Sequence, residues 1–329
     1  MRRTDTWSAA DSGHNASMLT VGVDIGGTKI AAGVVEEDGS LLEHTQHPTD
    51  PTDPAAIEAA VTAAVTELRE RHEIGAVGVA AAGYVSPLRD AMVFAPNISW
   101  RDYPLRDRLA TGIDLPIVVE NDANAAGWAE FRFGAGEAIS SMVMLTVGTG
   151  LGGAVIHDGR LLRGAFGAAG EFGHMEMVPN GHYCGCGQEG CWEMYASGRA
   201  LTRAARAAAV AQPDRIGALV EAAGGPDQAI EGRHVTAAAQ AGDPLATELF
   251  AELGGWLGKG IADLVAVVDP ELAVVGGGVV DAGDLLMEPA RQAFRRHLTA
   301  RGFRGELRIE VAEMGNEAGI IGAADLARR

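Results

Sequence analysis

Short apolar runs alternate along the chain with longer segments whose apolar residues recur every three or four positions, the two periods that separate strands from helices. LTVGVDI (19–25) and KIAAGVVE (29–36) read as strands joined by a glycine turn, and LLEHTQH (41–47) continues the meander. An alanine-rich helix follows from Pro54 to about His72, opened by a proline whose missing N–H costs nothing in a first turn. AVGVAAAGYV (76–85) and LPIVVE (115–120) are further buried strands, the second running straight into a helix start at Asn121-Asp122-Ala123-Asn124. SMVMLTVGTGLGGAVI (141–156) repeats the strand, glycine turn and strand of 19–35, so the chain reads as internally doubled. Residues 198–240 are mostly helical, a long helix runs from Leu245 to about Val268, and ELAVVGGGVV (271–280) is a strand ending in a glycine turn. Helix 284–298, strand 307–312 and helix 317–327 finish the chain. Strands alternating with helices predict an α/β protein.

Length changes the picture from one core to two. A chain of 329 residues exceeds what a single core usually holds. We expect a disordered tail over 1–17, a small α/β domain over 18–122 and a large one over 123–315, with the C-terminal helix 316–329 packing back on the small domain. No low-complexity linker marks the join, so the two lobes should share a cleft. With 47% apolar residues the chain can fill both cores, and its 45 glycines imply many turns and close backbone approaches. The net charge of -18 repels phosphate backbones, and no basic run is read that would override it, so nucleic acid is not an expected partner. Residues 1–17 lack the apolar centre of a signal peptide, and no segment is apolar for long enough to span a bilayer, which points to the cytoplasm.

The chemistry concentrates in HMEMVPNGHYCGCGQEGCWE (174–193), which holds all three cysteines, Cys184, Cys186 and Cys191. Three thiolates and one imidazole make the ligand set of a closed, tetrahedral structural zinc site, with Gly181, Gly185, Gly187 and Gly190 letting the chain fold round the ion. A disulfide would leave one cysteine unpaired and require an oxidising compartment. The cysteines alone do not choose between His174 and His182. A ligand ten positions upstream closes a loop that ties GEFGH to CWE, which favours His174.

Three glycine turns share a capacity for phosphate. In Asp24-Ile25-Gly26-Gly27-Thr28-Lys29, backbone amides can approach an anion, Thr28 offers a hydroxyl and Lys29 a charge, while Asp24 could hold magnesium through water. Gly148-Thr149-Gly150 carries a similar set, and Gly276-Gly277-Gly278 a flat surface for a nucleoside. Each alone is what an ordinary hairpin turn uses. None fits the phosphate-loop or dinucleotide spacing. Asp122 likewise has two local readings, a helix cap or a carboxylate placed where α/β sheets bind ligands, at a strand's carboxyl end.

Taken in order, VGVDIGGTK, APN, VENDANAAG, LTVGTGLGGA, GEFGH, CGCGQEGCWE and VVGGGV resemble the ROK family of sugar kinases and repressors, and its bacterial glucokinases in particular, over residues 19–327. The resemblance implies a two-lobed actin-like ATPase (ribonuclease H-like) fold with a central ligand cleft. It implies transfer of the γ-phosphoryl group of ATP, with Mg2+, to the 6-hydroxyl of glucose, Asp122 acting as general base. Sugar contacts carry over to Asn97, Asn121, Asp122, Glu171, His174 and Glu193, with Gly83 on the sugar-side turn. Phosphate and magnesium roles carry over to Asp24, Gly26, Gly27, Thr28, Lys29, Gly148, Thr149 and Gly150, with Gly276, Gly277 and Gly278 near the adenosine. His174, Cys184, Cys186 and Cys191 would hold a structural Zn2+, His174 meeting the sugar with its other ring nitrogen. Ala81-Ala82-Gly83-Tyr84-Val85 departs from the commoner family pattern, which has Pro-Gly there. Family repressors carry a helix-turn-helix module before the core; only 18 residues precede Leu19 here, so an enzyme is expected. The resemblance also implies a homodimer or homotetramer, while a different hexose (mannose, fructose or an N-acetylated amino sugar) and polyphosphate as donor remain open.

Overall fold

A computed structural model describes residues 18–27 and 29–329; the tail 1–17 and Thr28 lie outside the described residues. The first sheet begins as an antiparallel meander of β1 (Leu19–Ile25), β2 (Lys29–Val35) and β3 (Leu41–Pro48). Asp53 caps the following helix α1 (Pro54–Arg69), accepting from the Ala55 and Ala56 amides. The chain then enters β4 (Ile74–Ala81), parallel to β1. A small sheet of β5 (Tyr84–Val85), β6 (Met92–Phe94) and β7 (Arg101–Tyr103), then helix α2 (Leu105–Leu109), precede β8 (Ile117–Asn121), which lies parallel to β4. The strand order is β3-β2-β1-β4-β8. Val21, Val23, Val77 and Val79 are fully buried, as expected of central strands covered on both faces, whereas β3 at the edge alternates in burial.

Helix α3 (Asp122–Phe133) leads to a second sheet with the same plan. Strands β9 (Met142–Val147), β10 (Leu151–His157) and β11 (Arg160–Leu161) form the meander. Helices α4 (Gly198–Ala211), α5 (Gly217–Ala223), α6 (Gly232–Gln240) and α7 (Pro244–Val268) intervene before β12 (Leu272–Gly276), parallel to β9. Helix α8 (Asp284–His297) and β13 (Arg308–Val311), parallel to β12, complete the order β11-β10-β9-β12-β13. The doubling read in the sequence is thus a doubling of topology.

Two helices form the layer between the sheets. The last helix, α9 (Ala318–Ala327), packs on β1 and β4, while α3 packs on β9 and β10, and the two helices pack on each other. The approach is backbone-close: a Cβ built on Gly22 would lie 1.8 Å from the Ile320 carbonyl oxygen. Buried Asp325 on α9 accepts from the Trp128 indole of α3 at 2.7 Å and pairs with Arg328 and Arg329, so its charge is compensated where it leaves water.

Three expectations shift in detail. The strand read over 76–85 stops at Ala81, because Gly83 adopts φ +133° and turns the chain into the separate small sheet. The strand read over 271–280 stops at Gly276, where Gly277 at φ +90° starts a 3-10 turn. The helical region 198–240 is broken at Pro213 and again at Gly224 and Gly225.

Candidate active site

The carboxyl ends of β1, β4 and β8 bring the first group of residues together. Asn121 is the cap of α3: its side-chain oxygen accepts from the Asn124 amide at 2.9 Å. Its Nδ2 donates to the Gly83 carbonyl at 3.0 Å and to Asp122 Oδ1 at 3.1 Å. Capping is therefore done by the neighbour, and Asp122 keeps its carboxylate for other work. Burial pushes the Asp122 pKa above the usual carboxylate range, opposed by hydrogen bonds from the Ala123 and Asp122 amides and the Asn121 side chain. Asp24, at the end of β1, is raised to about 6 by burial and by the Asp122 charge, with Lys29 pulling the other way.

Gly83 cannot be replaced without moving backbone, since a Cβ there would lie 2.4 Å from the Phe94 carbonyl oxygen. That contact brings the end of β6 to the Asn121 side, and Asn97 sits exposed in the bend that follows, with no side-chain hydrogen bond among the described residues. Tyr84 was not singled out from the sequence for a role. Its hydroxyl is raised to about 12 by burial and by the charges of Glu171, Cys186, Cys184 and Glu193, which places it facing the opposite wall.

That wall is the segment 171–197, built from two three-residue 3-10 turns and two isolated bridges. Glu171 immediately precedes the turn Phe172–His174, and Glu193 lies in the turn Trp192–Met194. Glu171 is raised to about 7, first by burial, then by the nearby charges of Asp122 and Glu193.

His174, Cys184, Cys186 and Cys191 offer one ligand atom each, all within 4.8 Å of one another. Cys184 Sγ lies 3.6 Å from His174 Nδ1, and Cys186 Sγ 3.6 Å from Cys191 Sγ. A tetrahedral ion with Zn–S bonds of about 2.3 Å sets its sulfurs about 3.8 Å apart, so the group fits zinc with little adjustment. Burial pushes the Cys184 thiol up to about 12, a state that a bound dication reverses by holding the thiolate. His182 stands outside this set, its ring against Tyr195 at 5.3 Å. Next to the cysteines, Trp192 is fully buried, donates its indole N–H to the Trp256 carbonyl at 3.0 Å, and fits against Gly260, where a Cβ would come within 2.1 Å of the ring.

The second glycine turn joins this wall. A Cβ on Gly150 would lie 2.7 Å from Glu193 Oε2, so the β9-β10 turn abuts that acid. Beyond it opens a cavity of about 660 Å³, lined among others by Gly148, Thr149, Arg199, Thr202, Gly232 and Gly278. Arg199 donates to the Thr149 carbonyl at 3.1 Å. Of the third glycine turn only Gly278 lines the cavity; Gly276 packs against Met144 and Ala312, and Gly277 against the Val147 backbone. Gly26 closes the first turn by donating to the Lys29 carbonyl at 3.0 Å, and Gly27 has open space around it. Arg199, Thr202 and Gly232 were invisible in the sequence, because helix residues far along the chain carry no local sign of lining a turn.

Elsewhere, Arg291, Arg295 and Arg308 together with Glu306 and Glu310 line a groove of mixed charge, about 260 Å³, between α8 and β13. Among the described residues no helix is long and apolar enough to cross a membrane.

The ROK family model matches residues 20–329. A glucokinase of Streptomyces coelicolor is 50% identical over 310 residues, 94% of this chain and 98% of the relative. An N-acetylmannosamine kinase of Escherichia coli is 35% identical over 323 residues, 94% of this chain and 99% of the relative. The crystal structure of a ROK family glucokinase from Streptomyces griseus in complex with glucose and AMPPNP superposes with a TM-score of 0.86 at 50% identity, covering 94% of this chain and 99% of that one. The fold is the two-lobed actin-like ATPase fold expected from the motifs. With the matched sheets, the glycine turns and the cysteine loop all in place, the chain belongs to the ROK family.

Proposed function

We propose that the protein is a cytoplasmic glucokinase that transfers the γ-phosphoryl group of ATP to the 6-hydroxyl of glucose. The observation that carries this reading is the release of Asp122 from capping. Asn121 caps α3, leaving the Asp122 carboxylate near enough to Glu171 to raise its pKa, while Glu193, which also acts on Glu171, abuts the Gly148-Thr149-Gly150 turn. The 50% identity to a relative named as a glucokinase supports it.

In this reading the sugar lies between the two walls. Asn97, Asn121, Glu171, His174 and Glu193 meet hydroxyls that both donate and accept, and Gly83 keeps the turn low. Asp122 orients the 6-hydroxyl and accepts its proton, a task suited to a carboxylate whose pKa burial has raised. Phosphoryl transfer has a loose transition state, so most of the remaining acceleration comes from positioning and charge neutralisation. The Gly26-Gly27-Thr28-Lys29 and Gly148-Thr149-Gly150 turns would supply amides and hydroxyls to phosphate oxygens, and Asp24 would hold magnesium, which would neutralise charge on the transferred group. The purine end occupies the cavity beside Gly278. Zinc held by His174, Cys184, Cys186 and Cys191 supplies rigidity to Glu171 and Glu193 rather than chemistry. We divide the chain at residue 122, with 18–122 and the last helix forming one lobe and 123–315 the other.

Purified protein assayed with glucose, mannose, fructose and N-acetylmannosamine, each against ATP and polyphosphate, tests the reading. Glucose with ATP should give a kcat/KM at least about tenfold above every other pairing, since a site built to hydrogen-bond each hydroxyl discriminates strongly. A preference for N-acetylmannosamine would assign the chain to that activity instead.

A further inference from the structure

The residue before the Asn121-Asp122 pair has no part in the reading above, yet it is among the few buried charges in the molecule. Glu120 is 2% exposed, on β8 opposite Ala80. Its two oxygens are fully engaged. Oε1 accepts from the Asn121 amide at 3.1 Å and from Asn124 Nδ2 at 3.0 Å, which fixes the first turn of α3 from beneath. Oε2 lies 2.7 Å from Arg163 Nε and 3.4 Å from Arg89 Nε.

Those two arginines come from different parts of the fold. Arg89 sits in the β5-β6 turn at φ +56°; its carbonyl accepts from the Val119 amide and its guanidinium reaches the Leu326 carbonyl of α9. Arg163 follows β11 of the second sheet and opens the loop that runs to Glu171. Its carbonyl accepts from the Ala169 amide at 3.1 Å, closing that loop, and Gly167 within it lies flat on β5, where a Cβ would come 2.1 Å from the Val85 carbonyl oxygen. A carboxylate buried at this depth is strongly unfavourable alone and tolerable only with such partners, so the network is held together or lost as a unit.

We propose that Glu120, clamped by Arg163 and Arg89, is a positioning residue for phosphoryl transfer, setting the distance between the helix start that carries Asp122 and the loop that carries Glu171. Glu120 touches neither substrate. It acts through Asn121 and Asn124 on one side and through Arg163 on the other, tying the two walls of the sugar crevice by one ion pair across the sheets. An uncharged glutamine keeps the contacts to Asn121 and Asn124 but loses the pull on Arg163, which separates the two halves of the role.

The inference rests on the glucokinase reading, and the experiment keeps the two apart. Wild-type turnover of glucose tests that reading; the variants Glu120→Gln, Arg163→Met, Arg163→Lys and the double Glu120→Gln/Arg163→Met test this one. Each of Glu120→Gln and Arg163→Met should lower kcat/KM for glucose by about tenfold or more, as misplacement of a reacting group does, with KM for ATP within about twofold of wild type. The double variant should be no worse than the worse single, because both remove one interaction. Arg163→Lys, which keeps the charge, should recover most of the loss. Glucose kinetics within about twofold of wild type in folded single variants, or losses that multiply in the double, would overturn the proposal. Should Glu120→Gln fail to fold, the contrast between Arg163→Met and Arg163→Lys on the half-buried side decides the matter. Should the wild type prefer another hexose, the same constants are read with that sugar.

Discussion

The two walls of the crevice hold acidic side chains by opposite means. On one side Asn121 and Asp122 continue a regular ladder, with Ala81 opposite Asn121 across β4 and β8, and pass directly into α3. On the other side Glu171 and Glu193 sit in a segment whose only regular elements are two short 3-10 turns and two isolated bridges. Backbone hydrogen bonds fix the first wall as part of the fold. One buried tryptophan and, in the proposed reading, four metal ligands fix the second. The first should therefore lose function when its chemistry is removed or when the single ion pair beneath it is cut, whereas the second should lose it when its staple is removed, with every proposed sugar-binding residue still present.

Asp122→Asn gives the sharpest test of the first wall. The fold and any bound zinc should be kept, while kcat falls by about 10² to 10⁴-fold, the usual worth of a general base. Stability should move the other way. Because burial raises the Asp122 pKa in the folded protein, ionising it penalises folding; that penalty is absent below the ordinary value of 3.8, grows as pH rises from there to the elevated value, and is constant above it. The variant should thus melt at or above the wild type near neutral pH, and the difference should narrow as pH falls toward the ordinary value of 3.8. Retained turnover, or a variant that melts well below wild type at neutral pH, would break the contrast between the walls.

Most of this arrangement could be read from the chain because it rests on local signals. The strand, glycine turn and strand of each sheet show in the 19–35 and 141–156 segments, and three cysteines in eight residues announce a ligand cluster without any fold. The small sheet could not be read, since strands of two and three residues carry no period and the turn at Gly83 depends on how closely Phe94 approaches it. Nor could the cap: Asn121 and Asp122 are both good caps, and only the direction of the Asn121 side chain decides. Arg163 is 43 residues from Glu120, and Arg199 is 50 from Thr149, distances over which no periodicity pairs two side chains.

Removing the proposed metal breaks the second wall. Chelation, thiol oxidation or Cys191→Ser should free the segment 174–193, and because a structural ion's binding energy is also folding energy, Tm should fall by at least about 5 °C. Activity should drop about 10- to 100-fold with the loss mainly in KM for the sugar, the range seen when the supports of a site are lost. Verified metal-free protein with unchanged sugar affinity and Tm would show that the ligand cluster does not organise Glu171 and Glu193. Restoration by added zinc would separate this loss from irreversible unfolding.

Trp192→Phe asks how far the second wall also leans on the core. The indole is fully buried, stands directly between Cys191 and Glu193, and holds the segment to α7 through one hydrogen bond to the Trp256 carbonyl and a ring seated on Gly260. Phenylalanine keeps most of the apolar contact but loses the indole's hydrogen bond, while the Trp256 carbonyl keeps its place in the α7 ladder, a loss of about 1 kcal/mol. If the cysteine ligands carry the positioning of Glu193, the Tm should fall by a few degrees while KM for the sugar rises less than about fivefold and zinc content stays whole. A rise in KM as large as that produced by chelation, measured with zinc retained, would shift the support of this wall from the ion to the tryptophan, and make the two walls more alike than their secondary structure indicates.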